Sequence, residues 1–143
     1  TKDYGLPGLR LGYAVARPEI IETLRIVLPP WNVNAPAQEA GLFVLDRDDY
    51  LEQTLCQLNE AKDYLVRELT RLGFTVCPSE ASFFLVRVSH AAEFRLSLLK
   101  KGLMVRDCAS FGLPAYVRLA PRSLPDCEKL VAAMAAVMKG SAR

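Results

Sequence analysis

Thr1-Lys2-Asp3-Tyr4-Gly5-Leu6-Pro7-Gly8-Leu9-Arg10-Leu11-Gly12 opens the chain and sets a lysine and an arginine eight positions apart around a glycine-punctuated turn. A lysine amine can form a Schiff base with an aldehyde when its surroundings lower its pKa, and a guanidinium can grip a phosphate through two parallel hydrogen bonds. Gly5, Gly8 and Gly12 open backbone conformations closed to other residues, and Pro7 stiffens the turn, so such a loop can approach a ligand closely. The run Leu9 to Ala16 alternates enough to read as a strand, which would put Arg10 on a rigid element. Thr1 can add a hydroxyl hydrogen bond to the same anion. The spacing alone leaves a plainer alternative open, a Gly/Pro hairpin with solvated Lys2 and Arg10, because a glycine pattern by itself is a weak signal.

Thr1-Lys2 followed by Gly5-Leu6-Pro7-Gly8-Leu9-Arg10-Leu11-Gly12-Tyr13 resembles the cofactor-lysine segment of fold-type I pyridoxal-phosphate enzymes, the class I/II aminotransferases. The resemblance continues through Pro29-Pro30-Trp31-Asn32-Val33-Asn34-Ala35-Pro36-Ala37-Gln38, Val105-Arg106-Asp107-Cys108-Ala109 and Tyr116-Val117-Arg118-Leu119-Ala120, and so covers essentially the whole chain. It implies pyridoxal 5'-phosphate as cofactor, Lys2 as the catalytic lysine that carries it, and Thr1 and Arg10 as contacts to its phosphate. It further implies that Arg106 and Arg118 bind the charged groups of the substrate, Arg118 being the carboxylate-binding arginine, and that Asn34 contributes from a loop near the active site.

Within that family the later segments look most like threonine-phosphate decarboxylases of cobalamin biosynthesis, with histidinol-phosphate aminotransferases of histidine biosynthesis, or another class I/II aminotransferase, as the alternative. Either way the implied enzyme acts on a phosphorylated amino acid or amine, as a decarboxylase (a lyase) or a transferase. Two departures bear on the substrate more than on the cofactor. Ser82 stands where the family carries asparagine, and the stretch from Cys108 to Tyr116 is shorter than the decarboxylase would have. A non-catalytic α+β interaction domain is the reading from another class.

The chain has 143 residues, enough for one core but less than half of what the family needs. The resemblance therefore implies an α/β fold represented by a C-terminal portion. Residues 1–35 would end the large cofactor-binding domain, 36–73 would form linking helices, and 74–143 a small α+β C-terminal domain. The aromatic that stacks on the cofactor ring and the aspartate that pairs with its nitrogen are expected upstream, so this portion alone should be inactive and hold the cofactor weakly.

A net charge of +2 with 24% charged residues gives no field that argues for nucleic acid or membrane as partner. No apolar run approaches the roughly 20 residues that cross a bilayer. Cys56, Cys77, Cys108 and Cys127 lie far apart with no CxxC pair, which argues against zinc and reads as reduced thiols in a cytoplasmic protein. Cys108 has Arg106 nearby to favour a thiolate, though a packing role is the better reading. His90, the single histidine, reads as solvated at the start of a helix, and Asp46-Arg47-Asp48-Asp49 as a solvated face rather than a metal site. The family implies a homodimer acting on small molecules.

Proline at its start and Pro29-Pro30 after its end frame a helix over 18–27. Helical periodicity resumes at Pro36 and carries Leu51, Leu55, Leu58, Leu65, Leu69 and Leu72 on one stripe up to Gly73. Strands are expected over 74–76, 83–88, 103–106 and 116–119. A helix over 91–101 should turn Phe94, Leu98 and Leu99 inward, and a last helix, capped at Ser123, should bury Leu130, Val131, Met134 and Val137.

Overall fold

Pro18 and Pro36 each sit in the first turn of a helix, where the missing N–H would have no intrahelical partner and the fixed φ is already helical. They start α1, Pro18–Val27, and α2, Ala35–Leu45. In the computed structural model, which describes residues 3–141, the remaining elements are α3, Asp48–Arg71, β1, Phe84–Arg87, α4, Ala91–Leu99, β2, Arg106–Cys108, β3, Leu113–Leu119, and α5, Leu124–Ser141. Short 3-10 turns cover Pro7–Leu9 and Ala109–Phe111. The chain divides into two compact units, Thr1–Thr54 and Leu55–Arg143.

In the first unit Ala37 is the one buried residue among those described, while Tyr13, Val15, Ile26 and Trp31 stand more than four-fifths exposed. Gly41 lets Leu11 lie against α2, since a Cβ there would come 2.5 Å from Leu11 Cδ2. Tyr4 and Tyr50 stack with ring centroids 6.3 Å apart. The strand expected over Leu9 to Ala16 does not form. Arg10 takes a left-handed φ of 55° at the end of the Pro7–Leu9 turn, and no described residue of the first unit is in a strand. Arg10 therefore sits on a turn rather than on a strand.

The second unit holds the core. On α3, Ala61, Leu65 and Leu69 recur at the four-residue interval that lines one helix face, and all three are buried, whereas Leu55 is 49% exposed. Gly73, at φ 88°, ends the run as a left-handed helix stop, with Phe74 N–H returning to Leu69 O at 3.0 Å. Phe74 to Val76 then runs beside β1 through Arg87 N–H to Thr75 O and Cys77 N–H to Leu85 O, each 2.9 Å. Only Val76 and Val86 form a bridge, so the expected strand there is a single contact.

The sheet has the order β1-β3-β2 and is antiparallel throughout. Phe84 faces Leu119 and Val86 faces Val117, and these four, all buried, make the inner face. Ala91 and Leu98 of α4 and Cys127, Val131 and Met134 of α5 join them and the α3 leucines in one apolar cluster. Each large side chain buried there contributes roughly 1.5–3 kcal/mol of hydrophobic free energy. Leu99, expected inward, is 45% exposed, because Leu98 already occupies the core-facing position of that short helix.

β2 begins at Arg106, three residues later than the expected start at Leu103. Gly102 at φ 76° and Leu103 N–H to Leu98 O at 3.0 Å still tie that stretch to the end of α4, so sheet bonding starts only beyond it. Ser123 precedes α5 as expected, but its hydroxyl donates to the Asp126 carboxylate at 2.8 Å rather than accepting from the helix backbone. Among the described residues no helix is long and apolar enough to cross a membrane.

Candidate functional site

Arg118 lies between buried Val117 and Leu119 on the central strand β3, and strand alternation therefore turns its side chain to the outer face of the sheet. Arg106, the first residue of edge strand β2, is its direct cross-strand partner. Two like charges at opposed positions repel. Each guanidinium is instead laid over an aromatic ring, Arg118 over Phe83 at 5.0 Å and Arg106 over Phe111 at 5.5 Å. Arg106 Nη2 also donates to Ser110 Oγ at 3.2 Å. Among the described residues neither arginine forms an ion pair, while Arg95 faces Asp107 at 3.9 Å and Arg122 faces Asp126 at 3.7 Å. A pair of exposed cations that no carboxylate neutralises has the donors to receive an anion.

The ring under Arg118 is itself fixed from α3. Lys62 Nζ donates to Ser79 O at 2.6 Å and Ala81 O at 2.7 Å, and Ser79 Oγ donates to Phe83 O at 2.6 Å, which ties down the turn ending at Phe83. A cavity of about 860 Å³ runs along the β2 edge, lined among others by Arg95, Arg106, Arg118 and Arg122. A second cavity of about 760 Å³ is lined by His90, Glu93 and Arg87 among others, and by none of the residues assigned to cofactor or substrate from the sequence.

Cys108 is 2% exposed, and burial pushes its thiol pKa up in spite of the opposing fields of Arg118 and Arg106. It is a packing residue and not a thiolate. His90 is exposed at the N-cap of α4 with no capping bond from its side chain.

Of the other residues proposed from sequence, Thr1 and Lys2 lie outside the described residues. Arg10 is exposed, and its Nη1 donates to Pro7 O at 3.1 Å, closing the turn on itself. Asn34 is the N-cap of α2, its Oδ1 accepting from Ala37 N–H at 2.9 Å. Arg10 and Asn34 belong to the first unit, Arg106 and Arg118 to the second, and the last two are the ones the structure brings together. Sequence reasoning missed Phe83, Phe111, Lys62 and Arg122. Phe111, five residues beyond Arg106, was an available local signal, whereas Phe83 lies 35 residues before Arg118 and meets it only through the pairing of β1 with β3. Nothing in the sequence pairs Lys62 with carbonyls 17 and 19 residues away.

Residues 1–134 match the family Aminotransferase class I and II. The histidinol-phosphate aminotransferase of Symbiobacterium thermophilum is 40% identical over 139 residues, covering 96% of this chain and 38% of that protein. Among solved structures, histidinol-phosphate aminotransferase from Clostridium acetobutylicum superposes with a TM-score of 0.92 at 29% identity, over 98% of this chain and 44% of the other. L-threonine-O-3-phosphate decarboxylase from Porphyromonas gingivalis superposes with a TM-score of 0.86 at 31% identity, over 96% of this chain and 44% of the other. The chain thus spans less than half the length of each. Its mixed helix and strand architecture is the one expected of a portion of a fold-type I enzyme. With the family matched along nearly its whole length, this chain belongs to the class I and II aminotransferases.

Proposed function

We propose that the protein is a pyridoxal 5'-phosphate-dependent aminotransferase whose substrate is a phosphorylated amine of the histidinol-phosphate kind, with Arg106 and Arg118 holding the substrate's anionic group. The observation that carries this reading is the opposed arginine pair, held over two rings and without a carboxylate. The decarboxylase favoured by the sequence motifs has less support than its alternative: the histidinol-phosphate aminotransferase from Symbiobacterium thermophilum reaches 40% identity, the decarboxylase from Porphyromonas gingivalis 31%.

The residues fit the cofactor. Positions Gly5, Gly8 and Gly12 have nothing within 4 Å of where a Cβ would stand, which leaves open space beside the turn. Arg10 presents an exposed guanidinium there, Thr1 offers a hydroxyl, and Lys2 an amine for the aldehyde. When bound, the cofactor supplies electron withdrawal from the bonds at the substrate α-carbon. Lys2, which would hold the cofactor through its amine, would also move the α-proton as general base and then acid. Arg106 and Arg118 fix which α-carbon bond is aligned for cleavage by anchoring the substrate's charge, and Asn34 adds a polar contact beyond its capping role.

The same reading includes a homodimer acting on small molecules in the cytoplasm, with residues 1–35, 36–73 and 74–143 as the end of a large domain, linking helices and a small domain. The test compares amino transfer from histidinol phosphate with carbon dioxide release from O-phospho-L-threonine, using the full-length protein with cofactor. Transfer without carbon dioxide release is expected. Carbon dioxide release as the main reaction would replace the proposal by the decarboxylase, and activity on neither would remove both specific substrates.

A further inference from the structure

We infer that Ser110 is a positioning residue for the substrate's anionic group: from the Ala109–Phe111 turn it fixes the direction of the Arg106 guanidinium in advance of binding. This rests on the proposal that Arg106 and Arg118 hold substrate. The two arginines are opposed across β2 and β3 yet are held differently. Arg118 lies over one ring, Phe83, at 5.0 Å. Arg106 meets two successive residues of one turn, the Phe111 ring at 5.5 Å and Ser110, whose Oγ accepts from Nη2 at 3.2 Å. A ring contact sets the distance of a guanidinium but leaves it free to rotate above the ring, and a directional hydrogen bond from one nitrogen stops that rotation. Carboxylates and phosphates accept from a guanidinium through two parallel bonds, so its direction decides whether both can form.

The turn that carries Ser110 is itself anchored. Cys108, which precedes it, is buried, and Gly112 closes it at φ 74°, a left-handed value open to glycine, with its N–H on Ala109 O at 3.0 Å. Ala109 N–H donates to Asp107 Oδ1 at 3.4 Å, and Asp107 Oδ2 lies 3.9 Å from Arg95 Nε on α4. The register of β2 against β3 shifts between Asp107 and Cys108, an irregularity that bends a strand out of its ladder. Beyond it the chain curls back, so that residues 110 and 111 reach a side chain four and five positions earlier. Arg106 is thus oriented by the chain's own contacts, and a side chain held in its binding direction loses less freedom when the anion arrives.

The test is a double-mutant cycle in the full-length holoenzyme, with steady-state kinetics on histidinol phosphate for wild type, Ser110→Ala, Arg106→Met and the two combined, and with Ser110→Thr as the conservative variant. Ser110→Ala is expected to raise KM about fivefold, the size of one net hydrogen bond, with kcat and the urea midpoint unchanged. In the Arg106→Met background the same replacement should add nothing, because its effect runs through the guanidinium. Ser110→Thr keeps the hydroxyl and should stay near wild type. An unchanged KM in Ser110→Ala, a rise that persists in the Arg106→Met background, a fall in the urea midpoint alongside the rise, or a Ser110→Thr protein as impaired as Ser110→Ala would overturn the inference. Failure of the underlying reading looks different: Arg106→Met would then itself leave KM unchanged, and the inference would fall with it.

Discussion

Arg106 and Arg118 occupy directly opposed positions on neighbouring antiparallel strands, one on the edge strand and one on the central strand, each laid over its own phenylalanine ring. Like charges so placed cost the free protein stability, and the cost is recovered when an anion binds between them. Arg118→Gln should therefore leave the melting temperature of the ligand-free protein unchanged or slightly higher at low salt. It should also lower kcat/KM by about 100-fold, as expected for loss of a charged hydrogen-bonded contact to substrate. Thermal scans at two salt concentrations beside steady-state kinetics check both halves. Loss of stability with intact activity would make the arginine structural.

Lys62 is the fastener behind this arrangement. Removing its two hydrogen bonds to Ser79 O and Ala81 O by Lys62→Met frees the turn that ends at Phe83. Charge-assisted bonds from a half-buried amine make this a loss of about 2 kcal/mol in urea denaturation. The weakened hold on Phe83 should also raise the substrate KM more than it lowers kcat. An unchanged unfolding midpoint would show that the turn is held by other contacts.

Asn34 has a capping role that is visible and a substrate role that is proposed, and two substitutions separate them. Asn34→Ala removes the bond to Ala37 N–H and should cost about 1 kcal/mol, whereas Asn34→Asp keeps an N-cap acceptor and should be close to neutral for stability. If Asn34 also meets substrate, Asn34→Asp loses activity while keeping the fold, because a carboxylate repels the anion. Full activity in Asn34→Asp would confine the residue to the cap.

Burial raises the Cys108 thiol pKa, and the linkage has a definite sign. Above the ordinary thiol range the unfolded chain ionises while the folded one holds its proton, so the folded state is protected below that range and loses stability as pH rises through and beyond it. Cys108→Ala should flatten the alkaline limb of the stability profile. In the native protein, alkylation followed by mass spectrometry should label exposed Cys56 well before Cys108. Equal labelling of both at neutral pH would contradict the buried assignment.

What could be read from the sequence follows from which interactions are local. Pro18 and the pair Pro29-Pro30 bracket α1, and the expected bounds are the observed ones, because a proline-started helix is specified by its own residues. Gly73 and Gly102 likewise stop their helices at left-handed φ values. Strands fared less well, since a strand exists only beside another. Leu9 to Ala16 alternates in sequence yet is not in a strand, Phe74 to Val76 finds one bridge, and Leu103 to Val105 is strand-like in composition while Leu103 is still bonded to the end of α4. At the site, Arg106 and Arg118 were identified from motifs. Their direct opposition depends on the register of β2 against β3 and the Lys62 clamp on a contact between distant segments, and neither is encoded at short range.

The proposed function depends on Lys2 as the attachment point of the cofactor, with Arg10 on its phosphate. The most direct test is borohydride reduction of the full-length protein after incubation with pyridoxal 5'-phosphate, followed by peptide mapping. A yellow protein whose reduced pyridoxyl mass maps to Lys2, and whose colour is abolished by Lys2→Ala, is the predicted result. A colourless protein that ignores added cofactor, or a label on another lysine that survives in Lys2→Ala, would contradict it.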